Sequence, residues 1–236
     1  MNLPFRLPVL IVLVVVAAAA AAEDLTVVSR VIPSKGQPMT ATQYISANKV
    51  RSSDGQFDTI IDLESGQMIQ VDHKKKSYFE TSFEEMRAHF AELAKMLDDN
   101  PMMARMLGEA TEVDVEKIPG TREIAGYACR QYQLTMGENL KFLVWATPDL
   151  QPPGEHYDAQ KMLYAAMGPA ASRFEKMFDE MKKIGGFALS TQIDTRILGM
   201  SVNSLSEAVE VRLDPLPAEA FAPPAGYKKK KSPYGG

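Results

Sequence analysis

Short runs of β-branched and alternating residues, each closed by a turn cluster, recur along this chain and dictate a sheet before anything else. Leu25 to Pro33 (LTVVSRVIP) and Met39 to Arg51 (MTATQYISANKVR) flank the turn cluster Ser34-Lys35-Gly36-Gln37. Phe57 to Leu63 follows Asp54-Gly55, and Glu64-Ser65-Gly66 precedes Gln67 to Phe79. Four such runs, joined by turns of a few residues, predict an antiparallel meander.

The period then changes. Ser82 and Glu85 have the spacing of a capping box, and Phe83, Met86, Phe90, Leu93 and Leu97 recur at three and four, which predicts one apolar helix face. Asn100-Pro101 opens a short second helix carrying Met102, Met103, Met106 and Leu107, stopped by Gly108. Alternation resumes at Thr111, Val113 and Val115. Ile124 to Met136 and Leu140 to Thr147 read as a hairpin about Gly137-Glu138-Asn139. A second helical insert spans about 156–183, with Phe174, Met177, Phe178, Met181 and Ile184 on one face and Gly185-Gly186 to close it. Strands at Phe187 to Ile197 and at Val209 to Leu213 follow. The sum is roughly nine strands and two helical inserts with no internal repeat, which predicts a single α+β domain over 23–227: a curved antiparallel sheet, a half-barrel whose concave face the helices cover.

Both ends read differently. Arg6, the apolar stretch Leu7 to Val16, and small residues up to Ala20 and Ala22 form the three-part pattern of a secretory signal peptide. Cleavage after Ala22 is the expectation, which sends the mature chain to the periplasm with no transmembrane segment. The apolar stretch is shorter than the ~20 residues that cross a hydrocarbon core. Residues 228–236, after a proline-rich exit, read as a lysine-rich disordered tail. The default for Lys74 to Lys76 and Lys228 to Lys231 is solvated charge. The sharper reading of either run is contact with lipid phosphate.

Composition excludes several classes. A net charge of −4 argues against a nucleic-acid binder. With Cys129 the only cysteine, an exported chain has no internal disulfide and must rely on its core, where Cys129 itself belongs. His73, His89 and His156 show no metal-ligand spacing, and there is no G-x-S-x-G elbow, P-loop or dinucleotide glycine pattern. The expectation is a protein that is not an enzyme and takes no cofactor.

Methionine is the compositional oddity, at 14 residues. Three readings stay open: adaptable core packing of helices on the sheet, a cavity for acyl chains or another hydrophobic ligand, and thioether binding of Cu(I), for which Met103-x-x-Met106 and Met177-x-x-x-Met181 place sulfurs on one helical face.

Ile124-Ala125-Gly126-Tyr127-Ala128-Cys129-Arg130-Gln131-Tyr132, then Leu143-Val144-Trp145-Ala146-Thr147-Pro148-Asp149-Leu150, and finally Phe221 to Tyr227 (FAPPAGY) give the chain a family likeness. It resembles an uncharacterised family of exported bacterial proteins, a domain of unknown function whose fold is similar to that of the LolA/LolB lipoprotein carriers. That resemblance implies a curved half-barrel with a greasy interior, and transfers no functional residue. In the motif, Tyr127 and Cys129 share a strand face, Tyr132 takes the other, and Gly126 permits a bend or bulge. The leading expectation is a periplasmic binding or carrier-type protein for a hydrophobic or lipidic small molecule, or for the acyl chain of a lipoprotein. The expected lining is Met86, Phe90, Leu93, Met102, Met106, Phe174, Met177, Phe178 and Met181 from the helices, with Phe187, Leu189, Ile193 and Trp145 opposite. The alternative is an envelope interaction module with a filled core and an envelope-protein partner.

Overall fold

The computed structural model describes residues 24–98, 113–136, 140–151, 161–162, 165–166, 179–181, 183–197 and 200–234. The expected leader lies outside them. A 12-stranded sheet dominates. Its strands are β1 (Leu25–Ile32), β2 (Met39–Ile45), β3 (Lys49–Ser53), β4 (Phe57–Asp62), β5 (Gln67–Asp72), β6 (Ser77–Ser82), β7 (Val113–Ile124), β8 (Tyr127–Met136), β9 (Leu140–Thr147), β10 (Phe187–Ile197), β11 (Met200–Leu213) and β12 (Lys228–Lys229). The spatial order is β12-β6-β5-β4-β3-β2-β1-β11-β10-β9-β8-β7, so two meanders meet where β1 pairs with β11. All pairings are antiparallel except β12 on β6.

Twelve strands replace the expected nine because two long runs fold back on themselves. Met39 to Arg51 turns at 46–48, where Ser46 N–H donates to the Lys49 carbonyl at 2.9 Å. Gln67 to Phe79 turns at the lysine triplet. There Asp72 Oδ1 accepts the Lys75 N–H at 2.9 Å, and Lys76 takes a positive φ of 47°. The expected disordered tail supplies the twelfth: Lys228–Lys229 pair with Ser77 and Tyr78, and Lys229 Nζ meets Glu80 at 2.5 Å. Gly126 is not a bend within a strand. Ala125 (φ 49°) and Gly126 (φ 84°) form the two-residue turn between β7 and β8, as the right-handed twist of a tight hairpin requires.

The sheet is open, and it is coiled rather than flat. Arg122 on β7 and Glu207 on β11 form an ion pair at 2.6 Å although three strands lie between them. A flat sheet would hold such positions about 19 Å apart.

The expected short second helix and most of the second helical insert lie outside the described residues. α1 (Phe83–Asp98) starts where expected: Glu85 N–H donates to Ser82 Oγ at 3.1 Å and Ser82 N–H to Glu85 Oε2 at 3.0 Å, a complete capping box. Its Phe83 and Met86 pack on Ile61 and Met68 of β4 and β5 together with Ala166 of the second insert. Met181 and Ile184, from the end of that insert, cover Tyr132, Val144 and Ala146. The remaining core joins Leu25, Val27, Ile45 and Val50 to Ile124, Cys129, Leu150, Phe187 and Leu189.

Cys129 is 1% exposed, and burial pushes its thiol above the ordinary value. The native protein should react with a disulfide reagent on the order of 100-fold more slowly than the urea-unfolded chain. Equal rates in stopped-flow thiol titration would contradict this packing.

Candidate functional site

Strand alternation sends every second side chain of β1 to β5 to the same face of the sheet. On that face Gln43 lies opposite Ser52, Ser52 opposite Thr59, and Thr59 opposite Gln70, a cross-strand row over four neighbouring strands. All four are half-buried, and Thr59 Oγ1 donates to Gln70 Oε1 at 3.2 Å. The row lines a cleft of about 580 Å³ that continues over Val27, Ser29 and Ala41 to the start of β10. There Phe187, Leu189 and Met181 close it with apolar surface. A bulge between Ala188 and Ser190 turns this end of β10, putting Ala188 through Thr191 along the wall. Gly186 sets the approach to that wall. Its φ is 137°, and a Cβ there would lie 2.1 Å from the Thr147 carbonyl oxygen.

Of the residues expected to line a cavity, Met181, Phe187 and Leu189 do so. Met86 and Phe90 instead belong to the filled cluster under α1, where Phe90 also stacks at 5.8 Å on Tyr234 from the C-terminal segment. Trp145 is not among the lining residues. Met181 covers the face that Val144 presents, and alternation sends Trp145 to the other. There the Arg122 guanidinium sits over the indole at 4.6 Å. Ile193, half-buried and paired with Phe142, lies beyond the cleft's end. Met102, Met106, Phe174, Met177, Phe178 and the Leu93 side chain lie outside the described residues. So does the Cu(I) reading, because Met103, Met106 and Met177 all lie outside them.

A second constellation escapes the sequence reading. Asp58 of β4 is fully buried, accepts from Arg51 Nη2 at 2.6 Å and lies 2.8 Å from His73 Nε2. His73 Nδ1 in turn is 3.0 Å from the Tyr227 hydroxyl, and Arg51 Nη1 donates to the Ala220 carbonyl at 2.8 Å. Burial works against ionisation of Asp58, but the Ser53 hydroxyl, His73 and Arg51 outweigh it and hold the carboxyl below its ordinary range. Asp58 alternates with Thr59, so the cluster stands on the face opposite the cleft. It ties residues 218–227, with their 3-10 turn at Ala218–Phe221, across the back of the meander. Among the described residues no group of His, Cys, Asp and Glu is arranged to hold a metal ion.

Fold and cleft define the class: an unclosed, coiled, mainly antiparallel sheet with a side-chain-lined trough and, among the described residues, few helices. The chain belongs to the family defined by the domain of unknown function DUF4412, which matches residues 45–227. No curated protein matches it. Among solved structures it is similar to PNGF-II, at 13% identity and a TM-score of 0.44 over 89% of this chain. It spans only 32% of that chain. It is also similar to an uncharacterized conserved protein from Thermus thermophilus (8% identity, TM-score 0.48, 89% of this chain and 91% of the other). A LolA superfamily protein from Nitrosomonas europaea is a third (10% identity, TM-score 0.27, 86% of this chain and 91% of the other). No helix among the described residues is long and apolar enough to cross a membrane.

Proposed function

We propose that this chain is an exported, non-enzymatic binding or carrier-type protein that holds a lipidic ligand in the cleft between the sheet and the end of its second helical insert. Removal of the leader at Ala22 and residence in the periplasm are part of that reading. The observation that carries it is the cleft itself. At about 580 Å³ it falls within the ~300–1,000 Å³ range of small-molecule sites. Met181, Phe187 and Leu189 give it an apolar end, and Met is suited to chains of varied shape.

Native mass spectrometry of the protein purified from its own periplasm is expected to show a bound lipid-sized adduct. Ala41 is a small, half-buried lining residue. Ala41→Trp, with an unchanged circular-dichroism spectrum, is expected to weaken binding of an alkyl fluorophore by about tenfold or more. A ligand-free mass together with an Ala41→Trp variant that binds as well as wild type would dismiss the reading.

One observation favours an interaction module instead. Among the described residues β7 forms an edge of the sheet and is exposed along most of its 12 residues. An edge of that length accepts a partner's strand. That reading expects an envelope protein to be captured along β7 while the cleft stays empty.

A further inference from the structure

The polar part of the cleft says what kind of head a bound molecule carries. Gln43, Ser52, Thr59 and Gln70 are four neutral side chains in one row, one per strand, each able to donate and to accept. A lining built for acyl chains alone would carry Leu, Val or Phe at these half-buried positions. Hydroxyls and amides are retained in a semi-enclosed site at a desolvation cost unless something satisfies them.

Charge narrows the class further. Among the described lining residues there is no Lys, Arg or His, and Asp54 is the one charged side chain. Its Oδ1 is taken by the backbone N–H groups of Gln56 at 2.8 Å and Phe57 at 2.6 Å, so the carboxylate is held in its own turn. A carboxylate or phosphate brought into this cleft would lose water, find no counter-ion and face a like charge. A neutral head with several hydroxyls would find donors and acceptors at about 4.8 Å intervals across the strands.

We infer that the cleft selects uncharged amphiphiles whose polar part carries several hydroxyl or amide groups, and discriminates against anionic ones, the Gln43-Ser52-Thr59-Gln70 row reading the head while Met181, Phe187 and Leu189 take the apolar end. This rests on the cleft being the ligand site, as proposed above. The shared chemistry is a polyhydroxyl group, whether free or attached to an alkyl chain.

Calorimetric titration at pH 7 with four probes, each below its micelle concentration, tests it: octyl glucoside, octanoate, octanol and glucose. Octyl glucoside is expected to bind at least tenfold more tightly than octanoate. The double variant Gln43→Ala with Gln70→Ala should lose at least tenfold in octyl glucoside affinity while octanol binding stays unchanged. If octanoate binds as tightly as the glucoside, the selectivity is refuted and the lipidic cleft stands. If glucose binds as tightly as octyl glucoside, the polar row is upheld, its source is a free sugar, and the lipidic reading falls. If no probe binds, both fall. Should the double variant unfold, Thr59→Val alone replaces it, with the same contrast expected between glucoside and octanol.

Discussion

Gly186→Ala is expected to cost the fold at least about 3 kcal/mol, which for a domain of this size lowers the midpoint of thermal unfolding by roughly 6–12 °C. Two effects add. The backbone at 137° is a conformation that L side chains rarely adopt. The new methyl carbon would also sit 2.1 Å from the Thr147 carbonyl oxygen, 2.6 Å from its carbon and 2.9 Å from Pro148 Cα. These are backbone atoms at the end of β9, so no side-chain rotation relieves the contact. Either the β9–β10 pairing shifts or Phe187 leaves the cleft wall. Calorimetry reads the first outcome and loss of alkyl-fluorophore binding the second. A variant with wild-type midpoint and wild-type binding would mean that the chain does not pass this point as described.

Asp58→Ala is expected to destabilise the protein by about 3–5 kcal/mol in denaturant titration, because it strips a fully buried carboxylate from the Arg51 and His73 side chains that hold it. Tyr227→Phe removes only the outermost hydroxyl of the chain of contacts, and about 1 kcal/mol is expected from it. The direction of pH dependence follows from the lowered pKa of Asp58. Its folded-state value lies below the unfolded one. The stability it contributes is therefore complete above the unfolded pKa of about 4 and is lost as pH falls through the folded value. The stability gap between wild type and Asp58→Asn should accordingly be widest at neutral pH and narrow steadily below pH 4. A gap that stays constant down to pH 2 would show that the carboxylate's ionisation contributes nothing.

The meander, the start of α1 and the strand hairpins were legible because each is encoded locally, in alternation, in Asp54-Gly55 or in the Ser82/Glu85 pair. The two missed turns lack the usual punctuation. Neither Ser46-Ala47-Asn48 nor His73-Lys74-Lys75-Lys76 contains glycine or proline, and the second depends on the Asp72 carboxylate accepting a backbone N–H three residues on. The cleft's apolar end could be read from helix and strand periodicity, which singled out Met181, Phe187 and Leu189. Its polar row could not. Gln43, Ser52, Thr59 and Gln70 share a line only once the register of four strands is known, and each alone is an ordinary strand residue. The same holds for Asp58 and Tyr227, joined through His73, which lies 154 residues before the tyrosine. The family motif FAPPAGY marked that last segment without revealing that its tyrosine reaches a buried acid.

β1 lies near the middle of the sheet, and its second neighbour, β11, is the last long strand among the described residues. Leu25, with no exposed surface in the finished protein, pairs with Leu213. A chain emerging from its N-terminus must therefore wait with this central seam open on one side until almost all of it has been delivered. Such late closure slows folding, since the contact joins residues far apart in sequence. Under the export proposed above, such a delay would help keep a precursor threadable, because the seam closes last.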